Sequence, residues 1–108
     1  MIEGLPGPRE EGEIEVAVCE SKLKPPPMYQ VVIINDDFTP MDFVVEILMM
    51  FFSMNEAKAV QVMLRVHHQG KGICGVYTRD VAETKVLQVN SYARNHDYPL
   101  LCNMEVTK

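Results

Sequence analysis

At 108 residues, the chain has room for one small domain, which excludes multidomain enzymes. Its apolar fraction of 47% is that of a globular chain, and 15 Asp and Glu against 10 Lys and Arg give a net charge of -5. An acidic chain without a cluster of basic residues lacks the electrostatic attraction that nucleic acids and anionic membranes require, so neither is an expected partner. The longest dense apolar stretch, Phe43 to Phe52, contains Glu46 and is about half the length that spans a bilayer.

The cysteines indicate a reducing compartment. Cys19, Cys74 and Cys102 are odd in number and widely spaced, with no C-x-x-C pair, so neither a disulfide framework nor a structural zinc site is expected. Residues 1 to 20 carry repeated glutamates and match neither a signal peptide nor a transit peptide. We therefore expect a cytoplasmic protein that needs no metal and no other cofactor.

The first 28 residues differ in composition from the rest of the chain. They hold five of the seven prolines and three of the six glycines, together with six acidic residues. Such a segment buries too little apolar surface to offset the entropy of ordering its backbone. Residues 1–28 are therefore predicted to form a flexible acidic extension, whose simplest role is to keep the domain at residues 29–108 soluble.

The folded part begins with a strand followed by two helices. The β-branched run Val31 to Ile34 predicts a buried central strand. Thr39 is then expected to cap a helix that starts at Pro40 and runs to about Phe52. A second helix is predicted from the capping box that Ser53 forms with Glu56, and Gly70 ends it.

Three further elements follow. Ile73 to Tyr77 predicts a strand, Thr78 is expected to cap a helix from Arg79 to Asn95, and Leu100 to Val106 predicts the last strand. The order β-α-α-β-α-β indicates an α+β sandwich, in which three helices cover one face of a three-stranded antiparallel sheet.

One possible site combines the acidic loop after the first strand with a histidine near the end of the second helix. Asn35, Asp36 and Asp37 can be simple turn residues, and His67 can simply complement the helix dipole. Two consecutive helices must nevertheless fold back over the same sheet, which allows the loop and the histidine to meet. Oxygen and imidazole acceptors beside apolar side chains suit an ammonium group attached to an apolar side chain, as in a free N-terminal residue. The apolar side chains expected there are those of Met41, Val44 and Met63.

Two other hypotheses remain open from the residues alone. In one, the protein is a structural or ribosomal interaction domain without a ligand, and the Asn-Asp-Asp loop is only a turn. In the other, Asp36, Asp37 and His67 support a metal-assisted hydrolase. Hydrolysis fits less well, because the chain has no recognisable nucleophile motif and adjacent histidines differ from the i, i+4 pair of a helical metal site.

Three blocks of the sequence resemble the ClpS adaptor family. They are V-I-I-N-D-D-F-T-P-M-D-F-V at residues 32–44, H-H-Q-G-K-G-I-C-G-V at 67–76 and V-A-E-T-K at 81–85. The resemblance extends over about Met28 to Met104. It implies a bacterial adaptor, not an enzyme, that binds N-degron substrates beginning with Leu, Phe, Tyr or Trp. The family delivers them to the ClpAP protease by docking on the N-terminal domain of ClpA.

The resemblance also assigns roles to residues. Those implied to hold the α-ammonium and the first peptide group are Asn35, Asp36, Asp37 and His67. Those implied to form the side-chain pocket are Thr39, Met41, Val44, Met63, Val66 and Leu100, with Ile33 behind them. Docking on ClpA is implied for Asp80, Glu83 and Lys85, although many relatives have Glu in place of Asp80. Met49 and Met50 depart from the family, which commonly carries charged residues there, and the sequence leaves open whether they form a small exposed apolar patch.

Overall fold

The computed structural model describes residues 25–107. The elements are β1 (Met28–Ile34), α1 (Met41–Phe52), α2 (Glu56–Gln69), β2 (Lys71–Thr78), α3 (Arg79–Asn95) and β3 (Leu101–Val106). The predicted element order and the α+β class are confirmed. Of the extension predicted at residues 1–28, residues 1–24 lie outside the described part, and Met28 already belongs to β1.

The sheet has the strand order β2-β1-β3, and β1 pairs antiparallel with both neighbours. The β-branched run of β1 therefore lies in the centre, and Val31, Val32 and Ile33 are fully buried. A register shift places Val31 opposite Gly75 but Val32 opposite Ile73, so that β2 contains one extra residue at this point. The predicted central strand is confirmed.

The core lies between the sheet and the three helices. Alternation along β1 places Val31 and Ile33 in the same buried cluster as Ile47 and Leu48 of α1. The cluster also includes Cys74 and Cys102, the two cysteines among residues 25–107, and both are free thiols. Burial raises the pKa of both thiols, that of Cys102 to about 12. Both cysteines therefore pack as small apolar residues.

The helix starts differ from the sequence-based expectation. Pro40, not Thr39, occupies the N-cap position of α1, and its carbonyl accepts the first helical hydrogen bond from Val44 N at 3.2 Å. The predicted capping box of α2 is also wrong, because Asn55 is the N-cap and its Oδ1 accepts from Lys58 N at 2.9 Å. Ser53 instead ends α1 in the left-handed conformation, with φ 56°.

The remaining helix ends follow the prediction more closely. Gly70 ends α2 with φ 92°, a conformation that glycine adopts without steric cost. Thr78 lies at the N-cap position of α3, but its hydroxyl makes no capping hydrogen bond.

Among residues 25–107, none of the helices combines the length and the apolar character needed to cross a membrane.

Candidate functional site

The end of β1 and the end of α2 are joined by a backbone hydrogen bond. Asn35 N donates to Gly70 O at 2.9 Å. Because Gly70 directly follows the last turn of α2, this bond brings His67 close to the loop that Asn35 begins. The loop after β1 and His67 are therefore close in space, as the sequence suggested.

Asp36 organises the loop between β1 and α1. Its Oδ1 accepts from Phe38 N and from Thr39 N, both at 2.8 Å. Its Oδ2 accepts from the Thr39 hydroxyl at 2.8 Å. Both carboxylate oxygens are therefore engaged within the loop, in the manner of an aspartate that shapes a turn. Thr39, which was expected to cap α1, uses its hydroxyl here instead.

A surface pocket of about 280 Å³ opens between this loop, α1 and α2. Its lining residues are Asn35, Asp36, Asp37, Thr39, Pro40, Met41, Val44, Met63, Val66 and His67. Nine of these ten were candidate site residues from the sequence. Pro40 was interpreted only as the first residue of a helix, although its position between Thr39 and Met41 could have indicated a place in the pocket wall.

Two of the candidate pocket residues lie elsewhere among the described residues. Ile33 and Leu100 are 0% and 1% exposed and belong to the core. Neither is among the residues that line the pocket. Ile33 was expected behind the pocket wall, which agrees with a core position, whereas Leu100 was expected in the wall itself.

The pocket joins a polar rim to an apolar floor. The floor consists of Val44, Met63 and Val66, all buried, and Met41 lies at the mouth with 44% of its surface exposed. The rim carries two aspartates and the exposed His67, and no Lys or Arg lines the pocket. Such a site suits a ligand that is cationic at one end and apolar at the other.

The described residues provide no set of metal ligands for the hypothesis of a metal-assisted hydrolase. Between residues 25 and 107, no group of three or more His, Cys, Asp or Glu side chains could hold a metal ion. Asp36, Asp37 and His67 line the same pocket without forming such a group.

The three residues expected to dock on ClpA do not share one environment. Asp80 and Glu83 are exposed in the first turns of α3, where Glu83 Oε2 accepts from Arg79 Nε at 3.1 Å. Lys85 is half-buried, and its Nζ donates to Phe51 O at 2.7 Å. The two carboxylates are therefore more accessible to a docking partner than the lysine is.

The structure shows the surroundings of Met49 and Met50, the two methionines near the end of α1 where the family commonly carries charged residues. Met49 and Met50 are 42% and 50% exposed. Two adjacent methionines thus present apolar surface to solvent, a point that the sequence left open.

The architecture and the pocket together define a small α+β binding domain. A family model described as ATP-dependent Clp protease adaptor protein ClpS matches residues 24–103. The chain therefore belongs to the ClpS family, whose members are adaptors of the Clp protease rather than proteases.

Individual relatives agree with this assignment. The ATP-dependent Clp protease adapter protein ClpS of Hydrogenovibrio crunogenus is 60% identical over 99 residues, which cover 92% of this chain and 95% of the relative. The protein of the same name from Nitrosospira multiformis is 59% identical over 97 residues, covering 90% and 95%. That of Methylococcus capsulatus is 63% identical over 87 residues, covering 81% and 82%.

A solved structure is also similar. Agrobacterium tumefaciens ClpS2 bound to L-phenylalaninamide superimposes with a TM-score of 0.75 at 34% identity, covering 77% of this chain and 100% of that chain. Its ligand combines a free α-amino group with an aromatic side chain.

Proposed function

We propose that this protein binds proteins beginning with Leu, Phe, Tyr or Trp and delivers them to the ClpAP protease by docking on the N-terminal domain of ClpA. The observation that carries the proposal is the pocket, which places acceptors at its rim and methyl and thioether groups at its floor. The phenylalaninamide bound to Agrobacterium tumefaciens ClpS2 supports it, because an N-terminal Phe presents the same two groups.

The rim residues would satisfy the α-ammonium. An ammonium has three donors, and a buried unpaired charge costs several kcal/mol. Asn35, Asp37 and the imidazole of His67 offer exposed acceptors, whereas the carboxylate of Asp36 is occupied by the loop and would act by positioning its neighbours. A neutral N-terminal amine, which has no charge and only two donors, should therefore bind poorly.

The floor would select the side chain. Burial of a Leu or Phe side chain contributes on the order of 2 to 3 kcal/mol. Met63, Val44 and Val66 supply this apolar surface, and Met41 borders the entrance. Large apolar side chains that are not branched at Cβ fill such a pocket, which agrees with the four proposed N-terminal residues.

Docking would use the first turns of α3. Asp80 and Glu83 present exposed carboxylates on adjacent turns of one helix face. Lys85 would contribute through the part of its side chain that remains accessible. A basic surface on ClpA is the complementary partner for the two carboxylates.

Peptide binding tests the proposal directly. A fluorescent peptide that begins with Phe should bind, and the same peptide acetylated at its N-terminus should bind at least about tenfold more weakly, since acetylation removes the charge and two donors. Met63→Gln should weaken binding by placing an amide in the pocket floor, whereas Met49→Gln, the same change at an exposed site outside the pocket, should not.

Two outcomes would contradict the proposal. Equal binding of the free and acetylated peptides would show that the rim does not recognise an ammonium. Binding of neither peptide, with the fold intact by circular dichroism, would favour the ligand-free interaction domain.

Docking is tested separately, by titrating the ClpA N-terminal domain with the protein and with its Asp80→Asn, Glu83→Gln double variant.

A further inference from the structure

A second pocket, of about 440 Å³, lies on the other side of the first turns of α1. Its lining residues are Pro40, Asp42, Phe43, Glu46, His96 and Tyr98. We call it the α1–α3 groove, because it separates α1 from the end of α3 and the segment that follows. Pro40 lines both this groove and the pocket between the β1–α1 loop, α1 and α2, which we call the peptide pocket.

Aromatic side chains line part of the α1–α3 groove. The ring centroid of Phe43 lies 4.5 Å from that of Tyr98 and 5.4 Å from that of His96, with tilted planes in both pairs. Phe43 is buried and stacks on Tyr92 at 5.6 Å, so it supports the groove from beneath. Tyr98 is half-buried, so packing holds its ring while part of the ring stays accessible to a cation.

Two carboxylates lie on the α1 side of the groove. Asp42 and Glu46 are four residues apart, so they project from the same side of α1. Glu46 Oε2 accepts a hydrogen bond from the Tyr92 hydroxyl, which fixes the direction of the glutamate and leaves its other oxygen available. No Lys or Arg lines the groove, and the nearby Arg94 donates to the carbonyl groups of Tyr98 and Leu100.

We propose that the α1–α3 groove binds the side chain of a Lys or Arg that follows the N-terminal residue of the substrate by a few positions. This inference rests on the proposed function, because the first residue must occupy the peptide pocket for the rest of the chain to pass Pro40. The cationic group lies beside the carboxylates of Asp42 and Glu46 and the accessible part of the Tyr98 ring. Ion pairing and cation–π attraction then act on the same group.

The shared Pro40 limits which substrate residue can reach the groove. An extended chain advances about 3.3 Å per residue, so three residues span about 10 Å. Because the two pockets adjoin at Pro40, the basic residue follows the first residue by a few positions, and we expect it at the third to the fifth.

A lysine scan tests the inference. Peptides that begin with Phe and otherwise carry Gln receive a single Lys at each position from the second to the sixth, and their affinities are measured by fluorescence anisotropy. One or two positions between the third and the fifth should bind about fivefold more tightly than the all-Gln peptide. The Asp42→Asn, Glu46→Gln double variant should lose this gain and bind the all-Gln peptide unchanged.

Glu56→Gln is the matched control, because Glu56 is an exposed carboxylate at the first turn of α2, outside both pockets. It should retain the position-dependent gain. A gain that is equal at every position, or that survives in the double variant, would overturn the inference and indicate general attraction by the acidic protein. Failure of every peptide that begins with Phe to bind would overturn the proposed function, and the inference with it.

Discussion

At the scale of single residues, Asp36 shows how a side chain can shape the loop that borders a pocket. Its two oxygens hold Phe38 N, Thr39 N and the Thr39 hydroxyl, each at 2.8 Å. These bonds set the path of the backbone between Asn35 and Pro40, both of which line the pocket. The neighbouring Asp37 is exposed and free to face a ligand.

We predict that Asp36→Ala weakens binding of a Phe-started peptide by at least about tenfold and lowers the free energy of unfolding by about 1 kcal/mol, because the loop loses three acceptor contacts. Asp36→Asn should retain most of both properties, since an amide oxygen still accepts from backbone N–H groups. Peptide titration and urea denaturation measure the two effects.

Asp37→Ala provides the contrast. It should weaken peptide binding while leaving the free energy of unfolding unchanged, because its side chain is exposed. A loss of stability in Asp37→Ala equal to that in Asp36→Ala would show that Asp36 has no special role in the loop.

At the scale of elements, the C-terminal end of α1 is stabilised from another helix. The first turn of α1 contains Asp42, but its last turn has no basic residue to balance the helix dipole. Lys85 of α3 fills this role by donating to Phe51 O at 2.7 Å. Its Nζ also lies 5.9 Å from the ring centroid of Phe52 and 5.8 Å from that of Tyr77.

We predict that Lys85→Met lowers the free energy of unfolding by about 1 to 2 kcal/mol, because the carbonyl of Phe51 loses its charged donor and the rings lose a nearby cation. Lys58→Met, on the exposed face of α2, should change stability little and serves as the control. Chemical denaturation measures both. If the two variants are equally stable, the contact between Lys85 and Phe51 contributes nothing measurable. A docking defect of Lys85→Met must be interpreted together with its stability.

At the scale of the whole molecule, a polar network connects the three strands on the face opposite the helices. Glu105 of β3 accepts from Gln30 Nε2 of β1 at 3.0 Å and from Lys71 Nζ of β2 at 2.7 Å. Lys71 lies opposite Ile34 and Glu105 lies opposite Gln30, so the ion pair crosses β1 diagonally above Val32. Val32, which the ion pair crosses, is completely buried.

The same network predicts a pH dependence. Hydrogen bonds from Lys71 and then Gln30 hold the pKa of Glu105 below its ordinary value. A carboxylate with a lowered pKa stabilises the fold above the ordinary pKa of glutamate, and this contribution is lost as the pH falls through the folded-state value. Glu105→Gln should therefore reduce the thermal midpoint modestly at pH 7, and the difference from the parent should disappear in acid.

Lys71→Met is the reciprocal control for Glu105. It should cause a similar loss at pH 7, and the double variant should lose less than the sum of the two single variants, because both changes remove one interaction. A difference between Glu105→Gln and the parent that stays constant from neutral to acidic pH would indicate that ionisation of Glu105 does not contribute.

The order and type of the elements could be predicted because they depend on local patterns. The β-branched run at Val31 to Ile34 and the glycine at position 70 produce a strand and a helix end wherever the rest of the chain lies. The cap residues were predicted less well, because neighbouring ends compete for the same few residues. Ser53 was needed to end α1, so Asn55 became the cap of α2.

The sequence by itself determined most of the residues that line the pocket between the loop, α1 and α2. Of these nine residues, seven stand in the blocks at residues 32–44 and 67–76, and Met63 and Val66 come shortly before the second block. Only the tertiary structure decided how the polar groups are used. Asp36 organises its own loop, Lys85 caps a distant helix end, and Asp42 and Glu46 line a groove with Tyr98. These roles depend on which atoms come within about 3 Å of one another after folding, and distances between separate segments are set by packing rather than by local sequence.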